Sequence, residues 1–129
     1  IPTGTERILA VDDDPDIVGL VKTVLEDLGY TVSAYTSSVA LLHDFEEHPD
    51  ICDLVITDMT MPSATGAEIA RKVLQARPEL PVVLCTGFSD QIDENTASDL
   101  GIAAFLMKPV ARKDLAECVR NALDRPSQR

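Results

Sequence analysis

The sequence predicts an α/β domain: a doubly wound, parallel five-stranded sheet with helices on both faces. Three observations predict it. Short apolar runs alternate with amphipathic stretches along the whole chain. The runs are nearly continuous in apolar residues, as strands covered on both faces are. The polar residues that interrupt them, Asp12, Asp13, Asp58, Thr86 and Lys108, fall at the C-terminal ends of those runs. A chain of 129 residues has room for one such domain. At this size roughly two thirds of the unfolded surface can be buried, so no disulfide or structural metal is needed to fold.

The elements follow in order. Residues 7–12 (RILAVD) form the first strand. Asp14 caps the next helix, and Pro15 takes its first turn, where a missing N–H costs nothing. Ile17, Leu20, Val21, Val24, Leu25 and Leu28 recur at helical spacing until Gly29 stops the helix. Residues 30–35 (YTVSAY) alternate as a second strand, and a helix over 38–47 carries Val39, Leu41, Leu42 and Phe45. Residues 53–58 (DLVITD) are the third strand, 67–76 a helix with Ile69, Val73 and Leu74 inward, and 81–86 (PVVLCT) the fourth strand. A weak helix is expected over 91–100, where Asp93, Asn95, Thr96, Ser98 and Asp99 are mediocre helix formers. Residues 103–107 (AAFLM) make the fifth strand, and 112–123 the last helix, with Leu115, Val119 and Leu123 on one face. The domain is expected to span 7–124, with 1–6 as an entering linker and 125–129 as a tail or linker.

Composition narrows the function. Asp and Glu number 22 against 11 Lys and Arg, a net charge of −11 and a pI near 4.4. This argues against non-specific binding to nucleic acid or to an anionic membrane. Aromatic residues are only 4%, with no Trp, which disfavours a base-stacking surface. Cys52, Cys85 and Cys118 are odd in number, scattered and set among apolar neighbours, so they read as buried hydrophobes in a reducing compartment. His43 and His48 lie on or just after the second helix, away from the polar strand ends, and read as surface residues. No apolar run approaches the ~18 residues of a membrane span, and no signal peptide opens the chain. A cytoplasmic domain is expected, with a membrane-anchored parent left open. The chain starts at Ile1, so it is expected to be a piece of a longer protein.

Open α/β sheets bind ligands at the C-terminal ends of their strands, near the point where strand order reverses. In the flavodoxin-like order 2-1-3-4-5 the first, third, fourth and fifth strands are neighbours. Asp12, Asp13, Asp58, Thr86 and Lys108 would then converge on one rim. Packed carboxylates repel, and a hard cation such as Mg²⁺ relieves them. A bound cation invites a phosphoryl group, whose charge must be neutralised from several sides. Thr86 and Lys108 could each take a phosphoryl oxygen. Asp58, alone on a central strand, is the better nucleophile, while the adjacent Asp12 and Asp13 suit the cation.

VDDDP at 11–15, TDMTMPSATG at 57–66, CTG at 85–87 and KP at 108–109 together resemble the receiver domain of bacterial two-component signalling. The resemblance covers the chain from Arg7 to Leu123. It implies Asp58 as phosphoacceptor and Asp13 and Asp58 as Mg²⁺ ligands, with Asp12 in or next to the metal shell. The backbone carbonyl of Thr60 would complete the metal site. Thr86 and Lys108 would bind phosphoryl oxygens, Pro109 would follow a cis peptide, and Thr86 with Phe105 would form the switch. Ser63-Ala64-Thr65 departs from the family's usual loop, and Phe105 has no hydroxyl with which to signal.

The expected function is therefore that of a phosphorelay receiver. A histidine kinase or phosphotransfer domain supplies the phosphoryl group. A downstream protein reads the face of the 91–100 helix, the fifth strand and the last helix. This domain is expected to touch neither nucleic acid nor membrane, and homodimerisation is left open. So is whether the parent is an enzyme, since the domain supports only its own phosphorylation and dephosphorylation. PTGTERIL at 2–9 resembles the junction into a receiver fused behind a histidine kinase, which favours a hybrid sensor kinase as parent. A response regulator without its output domain is the alternative. A haloacid-dehalogenase-like phosphatase would instead use Asp12 as nucleophile and Asp14 as acid/base. It wants an acidic pair on a later strand end, and only Asp114 and Glu117 follow, on a helix. A calcium loop at 12–16 fails, since Ile17 stands where Gly is needed and Thr23 where Glu is needed. Phe88 is expected to shield the acyl phosphate from water.

Overall fold

A computed structural model describes residues 1–59, 61, 64–87 and 101–124. The sheet order is β2-β1-β3-β4-β5, all parallel. Its strands are β1 (Arg7–Val11), β2 (Thr31–Tyr35), β3 (Leu54–Asp58), β4 (Val82–Thr86) and β5 (Ala104–Met107). The helices are α1 (Pro15–Asp27), α2 (Ser38–Glu47), α3 (Gly66–Ala76) and α4 (Arg112–Asp124). The predicted fold class and strand order hold, and element bounds shift by a residue at several ends. The expected 91–100 helix, Phe88 and the 125–129 tail lie outside the described residues.

Strand alternation divides the core in two. Ile8, Ala10, Ile56, Val83 and Leu106 face one way and pack under α1 and α4. Leu9, Val11, Val55 and Val82 face the other way, under α2 and α3. Both sheet faces are thus covered, which is why β3 and β4 are buried at every position.

Local signals explain the helix ends. Asp14 caps α1, its side chain accepting from the Asp16 N–H at 2.9 Å, with Pro15 in the first turn. Gly29 follows the cap residue with φ of 105°, a conformation glycine adopts without strain. Thr65 and Glu68 form a capping box at the start of α3. Arg77 donates to the carbonyls of Pro49 (3.0 Å) and Cys52 (2.6 Å), pinning the connection into β3.

Two apolar residues depart from the inward reading of helical spacing. Leu20 is 58% exposed and Val39 60% exposed. The buried set of α1 is Val18, Val21, Val24 and Leu25, and Leu20 lies about a third of a turn from the centre of that core-facing stripe. On α2, Ser38 faces inward where Val39 does not. Cys52 and Cys85 are buried and Cys118 is half-buried, all as free thiols. Burial pushes them up to about 11, about 12 and about 11 respectively.

Gly66 opens α3 hard against β3. A Cβ there would stand 2.5 Å from the Asp58 carbonyl oxygen and 2.8 Å from Leu84. Gly19, inside α1, has open space around a Cβ. Opposite effects follow. Gly66→Ala is expected to cost about 1–3 kcal/mol through overpacking. Gly19→Ala should gain about 0.5–1 kcal/mol of helix stability. Chemical denaturation of the two variants checks the signs.

Candidate functional site

The order of the sheet builds the site. β1 and β3 pair in parallel with Val11 beside Thr57, so the residues that follow, Asp12 and Asp58, emerge side by side at one rim. β4 ends beside them on Thr86, in register with Met107 of β5. The Lys108 N–H then donates to the Thr86 carbonyl at 2.8 Å, and the Lys108-Pro109 peptide is cis. Lys108 is thereby carried from the sheet edge to the carboxylates. Its Nζ lies 2.6 Å from Asp58 Oδ1 and 3.1 Å from Asp12 Oδ2. The other oxygen of Asp12 accepts from the Asp14 N–H at 2.9 Å.

Asp12, Asp58 and Thr86 are buried, at 5%, 5% and 7% exposure, while Asp13 stands open to solvent. Oxygens of Asp12, Asp13 and Asp58 lie within 4.8 Å of one another. Three hard oxygen donors converging so closely, with one facing solvent, fit a Mg²⁺ ion that keeps several of its waters. Burial raises the Asp58 carboxyl above its ordinary value. The Lys108 hydrogen bond opposes this, and the charges of Asp12 and Asp13 add to it. For Lys108 burial acts downward, but the hydrogen bonds to Asp58 and Asp12 outweigh it, so the ammonium is held above its usual range. The ammonium persists at neutral pH and offsets part of the carboxylate repulsion.

Every described residue expected at the rim is there. Thr60 lies outside the described residues. Phe105 sits on β5, 37% exposed, on the opposite strand face from buried Leu106. Asp14 is engaged as a cap, its carboxylate tied to the Asp16 N–H. His43 is exposed on α2, its ring 3.5 Å from Asp44 and 3.7 Å from Glu47 of the same helix.

Sequence reasoning did not anticipate a groove beside the site. It holds about 490 Å³ between α1 and α4, lined by Ile17, Leu20, Val24, Lys108, Val110 and Leu115. The signal was present in Leu20, which periodicity alone assigns to a core.

Comparison with known proteins follows the same lines. The chain matches the response regulator receiver domain family over residues 8–120. It is 34% identical over 124 residues to the DNA-binding response regulator MtrA of Mycolicibacterium smegmatis, covering 95% of this chain and 53% of that protein. It is 31% identical over 118 residues to the sensor histidine kinase GacS of Pseudomonas protegens, covering 88% of this chain and 13% of that protein. A response regulator receiver domain protein from Clostridium thermocellum superposes with a TM-score of 0.85 at 35% identity, covering 92% of this chain and 94% of that one. Among the described residues, no helix is long and apolar enough to cross a membrane.

The sign of the Asp58 shift sets a pH dependence. A carboxyl raised by folding costs nothing below the ordinary carboxylate range, and its cost appears as pH rises through the raised value. In metal-free buffer at pH 7, Asp58→Asn should therefore stabilise the protein and raise its Tm. The gap should close as pH falls, and added Mg²⁺ should narrow it by favouring the parent protein. Thermal melts across pH, with and without Mg²⁺, check this. An Asn variant that melts lower at pH 7 would contradict it.

Proposed function

The chain belongs to the response regulator receiver domain family, and from that premise we propose that Asp58 is its phosphoacceptor. The observation that carries the reading is the meeting of Lys108 with two buried carboxylates, 2.6 Å from Asp58 and 3.1 Å from Asp12. An oxygen of Asp58 attacks the phosphorus of a phosphohistidine. The P–N bond breaks, its electron pair stays on the imidazole, and an acyl phosphate forms on Asp58. The Lys108 ammonium donates to one phosphoryl oxygen and the Thr86 hydroxyl to another, so charge developing on the phosphoryl group meets donors already in place. The backbone bond from Lys108 to the Thr86 carbonyl holds these two donors in step.

Receiver domains generally bind Mg²⁺ at an acidic pocket. Here Asp12, Asp13 and Asp58 would hold it, with the Thr60 carbonyl as a further ligand. When bound, it neutralises phosphoryl charge that one lysine cannot neutralise alone. The cap role of Asp14 leaves the phosphatase alternative without its acid/base. Trapping a phosphoryl mimic on Asp58, and not on Asp12, separates the two.

The donor is a histidine kinase or phosphotransfer domain, and the groove beside Lys108 is where it docks. An apolar trough between two helices, running up to a rim of carboxylates, fits the apolar stripe of a helix that carries the phosphohistidine among basic residues. Phosphorylation repacks Thr86 and Phe105, and a downstream protein reads the face of β5 and α4. The chain spans between 25% and 53% of the transcriptional regulators it matches and 13% of GacS. On the resemblance of PTGTERIL to a kinase–receiver junction, the parent is a hybrid sensor kinase in the cytoplasm or anchored at the membrane. A response regulator is the alternative, and the domain content of the full-length gene product decides between them.

Asp58→Asn should abolish phosphoryl uptake from acetyl phosphate while the circular dichroism of the fold persists. Asp13→Asn should weaken Mg²⁺ binding by about tenfold or more, as measured by titration calorimetry. Uptake retained in the first variant overturns the assignment of Asp58.

Leu20→Glu separates donor docking from chemistry. Leu20 is exposed and already faces solvent, so the fold should tolerate the change. Transfer from a phosphorylated protein donor should fall about tenfold or more, as for a lost apolar interface anchor. Uptake from acetyl phosphate should be unchanged. Equal loss with both donors would place Leu20 in the fold and not at an interface.

A further inference from the structure

The opposite end of the domain, at the start of β1 and β2, carries a second charged centre with no part in phosphoryl transfer. Arg120 of α4 donates to the Thr3 carbonyl and to Glu6 Oε1, each at 3.1 Å, and to the Tyr30 hydroxyl at 3.4 Å. It also reaches Glu6 Oε2 at 2.6 Å and grips both oxygens of Asp124 at 2.8 and 3.1 Å. These are two forked carboxylate pairs on one guanidinium, the arrangement in which arginine binds most strongly. The side chain is only 22% exposed. The Glu6 carboxyl is correspondingly held below its ordinary value, first by the Arg120 hydrogen bond.

The backbone of the entering segment is seated as well. The Gly4 N–H donates to the Leu28 carbonyl and the Thr31 N–H to the Glu6 carbonyl, each at 3.1 Å. Two glycines make that seat. A Cβ on Gly4 would collide with the Tyr30 ring and stand 2.5 Å from the Arg120 guanidinium. A Cβ on Gly29 would run into the Gly4 carbonyl oxygen. Residues 3–6, expected from sequence as a linker, thus lie in a groove shaped for them.

α4 connects this centre to the rim. It begins shortly after Lys108 and ends on Asp124, with Leu115, Ala116, Val119 and Ala122 buried along its length. A close-packed helix of this kind shifts as a unit. α1 runs beside the same path, from the Asp14 cap near the rim to Leu28, which accepts from Gly4.

We propose that residues 3–6 are a strap, closed on α4 by Arg120, whose closure is linked through α4 to the phosphorylation of Asp58. The proposal rests on Asp58 being the phosphoacceptor. When Lys108 turns from the Asp58 carboxylate to a phosphoryl oxygen, the start of α4 moves with it, and the end that holds the strap follows. Linkage makes the effect reciprocal, so a pull on the chain entering the domain biases the site.

Hydrogen exchange at the Gly4 and Thr31 amides reads the strap, and intact mass reads the phosphoryl group in the same sample, after acetyl phosphate and Mg²⁺. Phosphorylation should change exchange at both amides by about tenfold, with no change in Asp58→Asn. Arg120→Met and Gly4→Ala should exchange rapidly at both positions, phosphorylated or not, while the Val55 amide stays protected. A protein shown by mass to be phosphorylated, with both amides unchanged, overturns the coupling. Amides as slow in both strap variants as in the parent protein overturn the latch itself. If no adduct forms on Asp58, the phosphoacceptor reading falls and the coupling with it, and the mass readout tells that failure from the others.

Discussion

The constraint on which the site depends is repulsion. Asp12 and Asp58 are buried side by side with Asp13 next to them, and one ammonium lies between the two buried groups. Unscreened carboxylates a few ångströms apart oppose folding by several kcal/mol at the effective dielectric of a protein rim. Nothing local relieves this fully, and the raised carboxyl of Asp58 records the remainder. The backbone enforces the arrangement. Parallel pairing of β1 with β3 sets where each strand ends, and a slip of one residue would turn Asp58 into the core. The cost is offset by the apolar interior beneath, where Leu54, Val55, Val82 and Val83 are wholly buried.

Lys108 answers that repulsion from across the sheet. It lies 96 residues from Asp12 in sequence, yet its Nζ bonds both buried acids. Only the strand order makes this meeting possible. With β1, β3, β4 and β5 adjacent, each contributes its last residues to the same rim, and the β4–β5 pair delivers Lys108 onto Thr86. The same adjacency places the acids where a cation and a phosphoryl group would both be welcome. The repulsion that opposes folding also brings three carboxylates together where a hard cation would relieve them.

Much of this was legible in the letters because it is local. Apolar runs ending in Asp, a cap followed by Pro15, and Gly29 after the last apolar residue are short-range signals, and they placed strands and helices to within a residue or two. The rim was legible because every polar interruption fell on the same kind of position, the end of a strand. Leu20 and Val39 were misread because periodicity shows a stripe, but not how wide a stripe the core will cover. The Arg120 centre was invisible for a different reason. Asp124 stands at i+4 on the same helix and is readable by spacing, but Thr3, Glu6 and Tyr30 are far away in sequence, and no spacing rule links them to Arg120. Gly4 looks like linker punctuation, and only the neighbouring Tyr30 ring shows why a side chain is forbidden there.

The two helices on one face of the sheet then carry more than packing. α1 and α4 bury Val18, Val21, Leu115 and Val119 in the shared core, yet they leave a groove between them near Lys108. Leaving Leu20 in water forgoes stabilisation of the order of 1.5–3 kcal/mol that burial would have supplied. A core built for stability alone would have closed over it. At their far ends the same two helices hold residues 3–6, through Leu28 on α1's side and Arg120 on α4's. Whatever inserts at the groove presses on elements that also grip the entering chain. The groove, the Lys108 rim and the seat of residues 3–6 are therefore all built on the same two close-packed helices.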